Sequence, residues 1–314
     1  MKEIFLRKVK EKGGFVCHHA HFDKAFLITE ENLIKSQSSL QEKWYLYRDL
    51  KKSYTEADLY ERMAKCADKM IMQGVSKVRT FVDADQIVGL LPVKTALRLK
   101  ENYKPFGLDI QIAIQPLEGV MGANARSNFV NACGLADIIG GLPDRDENPL
   151  KHMDFIFNLA KDLGKPVDVH VDQNNVPSEK ETEMVLDKIS EHGLEGQVRL
   201  VHAISLACQE KEDRDRVISK LIDTGTGVIV CPSAALSMRQ QNHIHAPIHN
   251  SIAPVMEMLE KNVNVAMGVD NILDLFMPLV DGDLWFESRL LMESIRCYDL
   301  DLISDLVSNP QGFI

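Results

Sequence analysis

The sequence predicts a (β/α)₈ barrel, because eight short apolar runs alternate with helical stretches over residues 14 to about 299. The runs are rich in β-branched residues and lack a polar face, as is typical of buried parallel strands. Such a barrel usually takes about 250 residues. An open doubly wound sheet is the alternative, but no G-x-G-x-x-G turn follows the first run. We therefore expect the barrel.

The predicted strands follow one another at the spacing that a barrel requires. They are GFVCHH (14–19), VSKVRTFVD (75–83), LDIQIAIQP (108–116), ADIIGGLP (136–143), PVDVHVD (166–172), VRLVHAI (198–204), GVIVCPS (227–233) and VNVAMGVDN (263–271). Amphipathic stretches between them predict helices, and four of these stretches run into glycine, a common residue at helix C-termini. The clearest helical stretches are 57–74, 149–164, 180–193, 212–225 and 253–262.

Composition limits the classes of function. The 314 residues, 45% apolar and 26% charged, are typical of a globular protein, and we expect a single domain over residues 1–314 with the barrel proper at about 14–299. No apolar run approaches the ~20 residues of a membrane span, and no signal peptide is visible, which predicts a cytoplasmic protein without a membrane partner. Six scattered cysteines predict reduced thiols. A net charge of −10 without a basic stripe argues against nucleic acid as a partner, and the oligomeric state, homo-oligomer included, stays open.

Five residues with metal-binding or acid-base side chains are predicted to lie at strand ends. The segment CHHAHFDK ends the first strand with His19 and His21, which face the same way on an extended chain. An isolated H-x-H is more often a pair of hydrogen-bonded strand-end residues. Here His170, His202 and Asp270 end strands 5, 6 and 8, so all five converge on the barrel face that carries active sites. Imidazole and carboxylate suit a divalent ion, so this convergence favours a metal centre.

The remaining histidines give weaker signals. His152 and His192 fall in helical stretches, and we expect solvated side chains. His243, His245 and His249, in NHIHAPIHN, are candidates for a second metal site or for contacts with a substrate.

Two long interruptions, Lys24 to Lys52 and Ser233 to Ser251, are predicted to lie over the barrel mouth and to bind a small-molecule substrate. A structural ion pair between Arg79 and Asp23 is the alternative to a substrate role for those two residues. The candidate substrate-binding residues are Asp23, Lys24, Arg79, Leu117, Asn271, His243, His245 and His249.

The ordered motifs resemble the amidohydrolase superfamily, and within it the bacterial cytosine deaminases and related metal-dependent hydrolases. The motifs are HAHFDK (19–24), VRTFVDAD (78–85), LDIQIAIQPLEG (108–119), IIGGLPD (138–144), VDVHVDQ (167–173), LVHAIS (200–205), CPS (231–233) and MGVDN (267–271). The resemblance implies His19, His21, His170 and Asp270 as ligands of one catalytic Zn²⁺ or Fe²⁺. It implies His202 as the residue that orients water or substrate. A carboxylate beside the metal-bound water, Asp270, is suited to accept a proton and pass it to a leaving nitrogen.

The sequence departs from this family pattern in three ways, and the first two limit the reactions that we expect. Gln173 stands where cytosine deaminases carry a glutamate that shuttles a proton, and an amide cannot titrate. Leu117 stands where the family has a glutamine that recognises the pyrimidine by hydrogen bonding. Little or no accessory β-sandwich is expected, because only about thirteen residues precede strand 1. We expect a metal-dependent hydrolase of an amide, lactam or amidine-like C–N bond. A deaminase of an aminoheterocycle other than cytosine and a catalytically silent metal-bound binding protein are the alternatives.

Overall fold

The computed structural model describes residues 1–238, 245–247 and 252–313. Eight parallel strands in this part of the chain form one sheet in sequential order, β1 to β8. A bridge between Ala20 and Asp270 joins β1 to the segment after β8 and brings the sheet round to a barrel. The strands are β1 Phe15–Ala20, β2 Val75–Asp83, β3 Asp109–Gln115, β4 Ile138–Gly141, β5 Val167–Val171, β6 Val198–His202, β7 Gly227–Val230 and β8 Val265–Met267. The (β/α)₈ prediction is confirmed.

Helices surround the sheet in the order that the alternation predicted. Among the described residues they are α1 Lys2–Glu11, α2 Leu40–Lys51, α3 Glu56–Met72, α4 Leu91–Tyr103, α5 Ala123–Leu135, α6 Pro149–Leu163, α7 Glu181–His192, α8 Lys211–Asp223, α9 Pro232–Leu236, α10 Val255–Glu260, α11 Leu284–Ile295 and α12 Leu300–Ser308. Helices α2, α9 and α12 were not predicted, and neither was α1. Its apolar face buries Phe5 against Phe15 and Trp285. None of the described helices is long and apolar enough to cross a bilayer.

Inward-facing side chains form layers along the barrel axis. On β3 the residues Gln111, Ala113 and Gln115 share one face, because side chains two apart in a strand point the same way. Ala113 packs with Phe81 and Ile138 in a buried apolar cluster. This middle layer separates a polar layer at the N-terminal ends of the strands from another at their C-terminal ends.

The segment between β1 and α3 lies over the C-terminal ends of the strands, as predicted. Helix α2 starts with a capping box, in which Ser39 accepts from the Glu42 N–H and the Glu42 carboxylate accepts from the Ser39 N–H. Arg48 of this helix donates two guanidinium bonds to Glu118, which lies beyond β3. This contact fixes α2 against the barrel.

Candidate active site

Histidine and aspartate side chains meet at the C-terminal end of the barrel. The Nε2 atoms of His19 and His21 are 3.1 Å apart, and Asp270 Oδ1 lies 3.3 Å from the first and 3.2 Å from the second. His170 and His202 close the group, with ring centroids 4.8 and 5.8 Å from that of His19. All five residues are buried. The structure therefore brings the five sequence-predicted residues together.

The donor set fits a divalent metal ion. Ligand atoms about 2.0–2.1 Å from a tetrahedral Zn²⁺ are roughly 3.3 Å from one another, close to the separations among His19, His21 and Asp270. Both ring nitrogens of His170 are buried without a hydrogen-bond partner among the described residues. A buried polar atom without a partner is costly, and a bound ion would satisfy one of these nitrogens.

Electrostatics favour the protonation states that bind metals. Burial lowers the pKa of His21 to about 3 and that of His202 to about 4, and it lowers the pKa of His170 well below the ordinary value. Burial acts to raise the pKa of Asp270, but hydrogen bonds from His19 and His21 outweigh it and hold the pKa well below its ordinary range. Neutral imidazoles and an ionised carboxylate are the forms that coordinate a metal.

Local backbone geometry places these side chains. His202 and Asp270 have positive φ values of 80° and 63°, an uncommon conformation for residues other than glycine that often accompanies functional sites. Gly268 lies so close to β1 that an added Cβ would stand 2.5 Å from the His19 carbonyl oxygen and 2.6 Å from its Cβ. Only glycine fits there without moving His19.

A cavity of about 470 Å³ lies above the metal-binding residues. This volume is in the range of small-molecule sites. One wall is apolar, with Trp44, Leu117, Leu142 and Phe276, and the segment after β1 covers it from Ser36 to Trp44. Polar residues that line the cavity outside the covering segment and the metal-binding group include Lys24, Gln115, Gln173, Asn174 and Asn271.

The structure places Lys24, Leu117, Gln173 and Asn271 in the lining of this cavity, where the sequence predicted them. Lys24 donates to Asp83 at 2.7 Å and to Asp23 at 3.2 Å. Burial acts to lower the pKa of Lys24, but these two carboxylates raise it above the ordinary value. Asp23, which is not in the lining of the cavity, therefore acts together with Asp83 to hold Lys24 as a cation.

Arg79 occupies a different place from the one predicted. It is fully buried at the opposite end of the barrel, where it donates to Asp168 at 2.7 Å and to Gln111. Asp168 also accepts from Arg199 at 2.9 Å. This placement contradicts a substrate contact for Arg79, and its ion-pair partner is Asp168 rather than Asp23. A strand pattern gives the face of a side chain but not the partner across the barrel.

The prediction of solvated side chains is wrong for His152, which is fully buried. Its Nδ1 lies 2.7 Å from Asp146, and its Nε2 accepts the Leu142 N–H at 3.1 Å. His192 is half-buried and bonds Asp154 at 3.0 Å. His152 ties α6 to the turn after β4, and this tertiary contact outweighs helix position.

Of the three loop histidines, one lies within the described residues. His245 is exposed, and His243 and His249 lie outside the described residues. Their substrate and metal roles stay predictions.

Sequence reasoning missed Gln115, the last residue of β3. The family pattern directed attention to Leu117, two residues further on. Strand parity with Gln111 could have indicated an inward-facing amide at this end of the strand.

The pattern of the amidohydrolase family matches residues 13–301. This chain belongs to the amidohydrolase family. Homologues of this chain include enzymes that act on carbon–nitrogen bonds of small molecules, such as N-isopropylammelide isopropyl amidohydrolase and pterin deaminase. Members of the family typically bind a divalent metal.

Relatives support this membership along most of the chain. An uncharacterized protein of Haemophilus influenzae is 39% identical over 80% of this chain and 92% of its own length. The N-isopropylammelide isopropyl amidohydrolase of a Pseudomonas species is 26% identical over 86% of this chain and 65% of its own length. The structure of 5-methylcytosine deaminase from Klebsiella pneumoniae with phosphonocytosine matches 93% of this chain and 72% of that chain, with a TM-score of 0.85 and 25% identity.

Proposed function

We propose that this protein is a metal-dependent hydrolase that cleaves a non-peptide C–N bond in an amide, lactam or amidine-like group of a small molecule. The observation that carries the proposal is that two groups of potential metal ligands share His19 below a cavity of about 470 Å³: His19, His21 and Asp270, and His19, His170 and His202. The proposed ligands are His19, His21, His170 and Asp270. These residues would hold one divalent ion, Zn²⁺ or Fe²⁺. The ion would supply a coordinated water with a pKa lowered from about 15.7 to about 7.

Asp270 has a carboxylate suited to proton transfer. Its Oδ1 lies against His19 and His21, whereas its Oδ2 is 3.9 Å from His202 Nε2. Because the carboxylate is held ionised, Oδ2 can accept the proton of the attacking water and later donate it to the leaving nitrogen. His202, neutral and buried, would orient the water or the substrate oxygen.

Gln173 limits the choice of substrate. It lines the cavity, and its amide cannot titrate, so Asp270 must carry both proton transfers. Substrates whose leaving nitrogen needs no separate ring protonation, such as amides and lactams, meet this condition better than aminopyrimidines.

Deamination of an aminoheterocycle other than cytosine is the second candidate, and the similarity to the Klebsiella deaminase structure supports it. We expect wild-type protein to release little or no ammonia from cytosine. Gln173→Glu, alone or with Leu117→Gln, should gain activity, since acid-base assistance is typically worth about 10²- to 10⁴-fold. Robust turnover of cytosine by the wild type would contradict this interpretation of Gln173.

The metal proposal is tested by elemental analysis of protein never exposed to chelator. We expect near-stoichiometric Zn or Fe, and its loss in His170→Ala. His192→Ala is the matched control, because His192 bonds Asp154 outside the cavity. Full metal content in a His19→Ala, His21→Ala double variant would contradict the site.

The reaction is tested by screening metal-loaded protein for release of ammonia or amine from amides, lactams and aminoheterocycles. Turnover of a panel member that is lost with the metal supports a hydrolase. Stoichiometric metal without turnover of any member would favour a silent binding protein.

A further inference from the structure

Gln115 is a buried residue whose amide oxygen has no hydrogen-bond partner among the described residues. It ends β3, faces the cavity and is 5% exposed. Its Oε1 atom is buried and accepts no hydrogen bond from any described residue. Because a buried acceptor without a partner costs free energy, native proteins rarely keep one that has no role.

Gln111 provides a comparison within the same strand. It lies four residues before Gln115 on the same face, and its Oε1 accepts from Arg79 at 3.2 and 2.7 Å. The barrel can therefore pair an inward-facing glutamine of β3 with a neighbouring side chain. At position 115 the space next to the amide is the cavity instead.

The surroundings of Gln115 indicate what would pair with it. Leu117 and Trp44 belong to the apolar wall of the same cavity, and Gln115 Oε1 accepts a hydrogen bond from neither. A glutamine amide offers one acceptor oxygen and one NH₂ donor group side by side. The complementary partner is a ligand that presents an N–H next to a C=O.

We propose that Gln115 is a specificity-determining residue that binds the –CO–NH– edge of a cyclic amide, imide or ureide substrate. The inference rests on the proposed function, because it names the substrate class of the same cavity. The amide would accept from the ring N–H and donate to the adjacent carbonyl. The carbon flank of the ring would lie against Leu117 and Trp44, and the reacting carbon would face Asp270. In this way Gln115 would supply the substrate-binding amide that the family pattern places at position 117, where this chain has leucine.

The experiment measures equilibrium binding rather than turnover, by calorimetry on metal-loaded protein. The probes are glutarimide, which presents an N–H between two carbonyls, and N-methylglutarimide, which lacks that donor. We expect wild-type protein to bind glutarimide at least about tenfold more tightly, since a site with a buried hydrogen-bonding group discriminates against a ligand that cannot pair with it.

Two variants of Gln115 isolate the amide. Gln115→Met keeps the size of the side chain and should bind both probes with equal affinity. Gln115→Glu keeps an acceptor for the ring N–H and should retain the preference for glutarimide. Gln111→Met is the matched control on the same strand face, and its probe preference should equal that of the wild type. Metal content and unfolding midpoint are measured for each variant, and Gln115→Met should match the wild type in both because it removes no intramolecular bond.

The outcomes separate this inference from the proposed function. The inference is overturned if wild-type protein does not bind glutarimide, if it binds both probes equally, or if Gln115→Met keeps the preference. A preference that depends on Gln115, together with absence of turnover across the hydrolase panel, would support the inference and contradict the hydrolase.

Discussion

The two ends of this barrel differ in whether their inward-facing polar side chains have hydrogen-bond partners within the chain. At the N-terminal ends of the strands Asp168 binds both Arg79 and Arg199, and Gly312 from the last described segment accepts from both arginines. At the C-terminal ends, His170 and Gln115 keep ring nitrogens and an amide oxygen without partners among the described residues. Polar groups that are paired within the chain are already satisfied in the fold, whereas unpaired ones that line a cavity are available to a ligand. The comparison locates function at one end of the barrel.

Asp270→Asn should give the largest effect. The variant removes the proposed base and one metal ligand, so release of ammonia or amine from the best panel substrate should fall by roughly 10⁴-fold or more. Stability should change little, because the ion pairs of the Asp270 carboxylate within the described residues are with His19, His21 and His202 of the same site. Asp281→Asn is the control, since this carboxylate binds Lys69 away from the cavity. Residual turnover within tenfold of the wild type would contradict the role of Asp270.

Asp168→Ala should act on stability instead. It would leave Arg79 and Arg199 buried without a counter-charge, and such losses cost about 3–5 kcal/mol in free energy of unfolding. Denaturant unfolding measures the loss, and metal content of the folded protein should stay at the wild-type level. Lower metal content with unchanged stability would show that the N-terminal layer supports the site rather than the fold.

Gly268→Ala should have an intermediate effect at the mouth. The added Cβ would displace His19, and misplaced ligand geometry typically weakens metal binding about 10- to 100-fold. Competition with a chelator measures the affinity. Gly134→Ala is the control, because a Cβ there meets no atom within 4 Å. Wild-type metal affinity in Gly268→Ala would contradict the positioning role.

The smallest expected effect is on the pH dependence of the stability of the fold. Burial, with repulsion from Glu179, raises the pKa of Asp172 to about 7 and that of Glu181 to about 9. Both groups are therefore protonated in the folded state at pH values where they ionise in the unfolded chain. Their contribution to stability is complete below pH 4 and is lost as the pH rises towards 7 and 9.

Unfolding midpoints measured from pH 5 to 9 test this dependence. The wild-type midpoint should fall across this range, and Asp172→Asn and Glu181→Gln should flatten the decline. Glu183→Gln is the control, because Arg216 and Lys220 lower the pKa of Glu183 to about 2, despite the opposing effect of burial. That variant should shift stability equally at every pH. An unchanged slope in Asp172→Asn would contradict the raised pKa.

The sequence predicted the barrel and the convergence of the metal-binding residues well, because both depend on strand order. Parallel strands place their C-terminal ends together, so His19, His170 and Asp270 had to meet whatever the details of packing. Six of the strands, β3 to β8, are shorter than the apolar runs that predicted them: β8 ends at Met267, whereas its run extends to 271.

Side-chain partners were harder to predict. Arg79 and Gln115 both end in polar groups on inward-facing strand positions, yet one lies in the N-terminal layer and the other at the mouth. The position of each side chain along the barrel axis depends on the stagger between strands. That stagger cannot be read from a single sequence. His152 is buried because Asp146 lies opposite its ring, and that contact arises only when α6 packs on the turn after β4.

The apolar layer of Phe81, Ala113 and Ile138 has a kinetic consequence. It belongs to the packed interior that a (β/α)₈ barrel has in place of a pore, so we expect that molecules do not pass through from one end to the other. Substrate must enter, and product must leave, through the same mouth. A product that still presents the recognised edge would occupy the place of the next substrate, and it should therefore inhibit competitively.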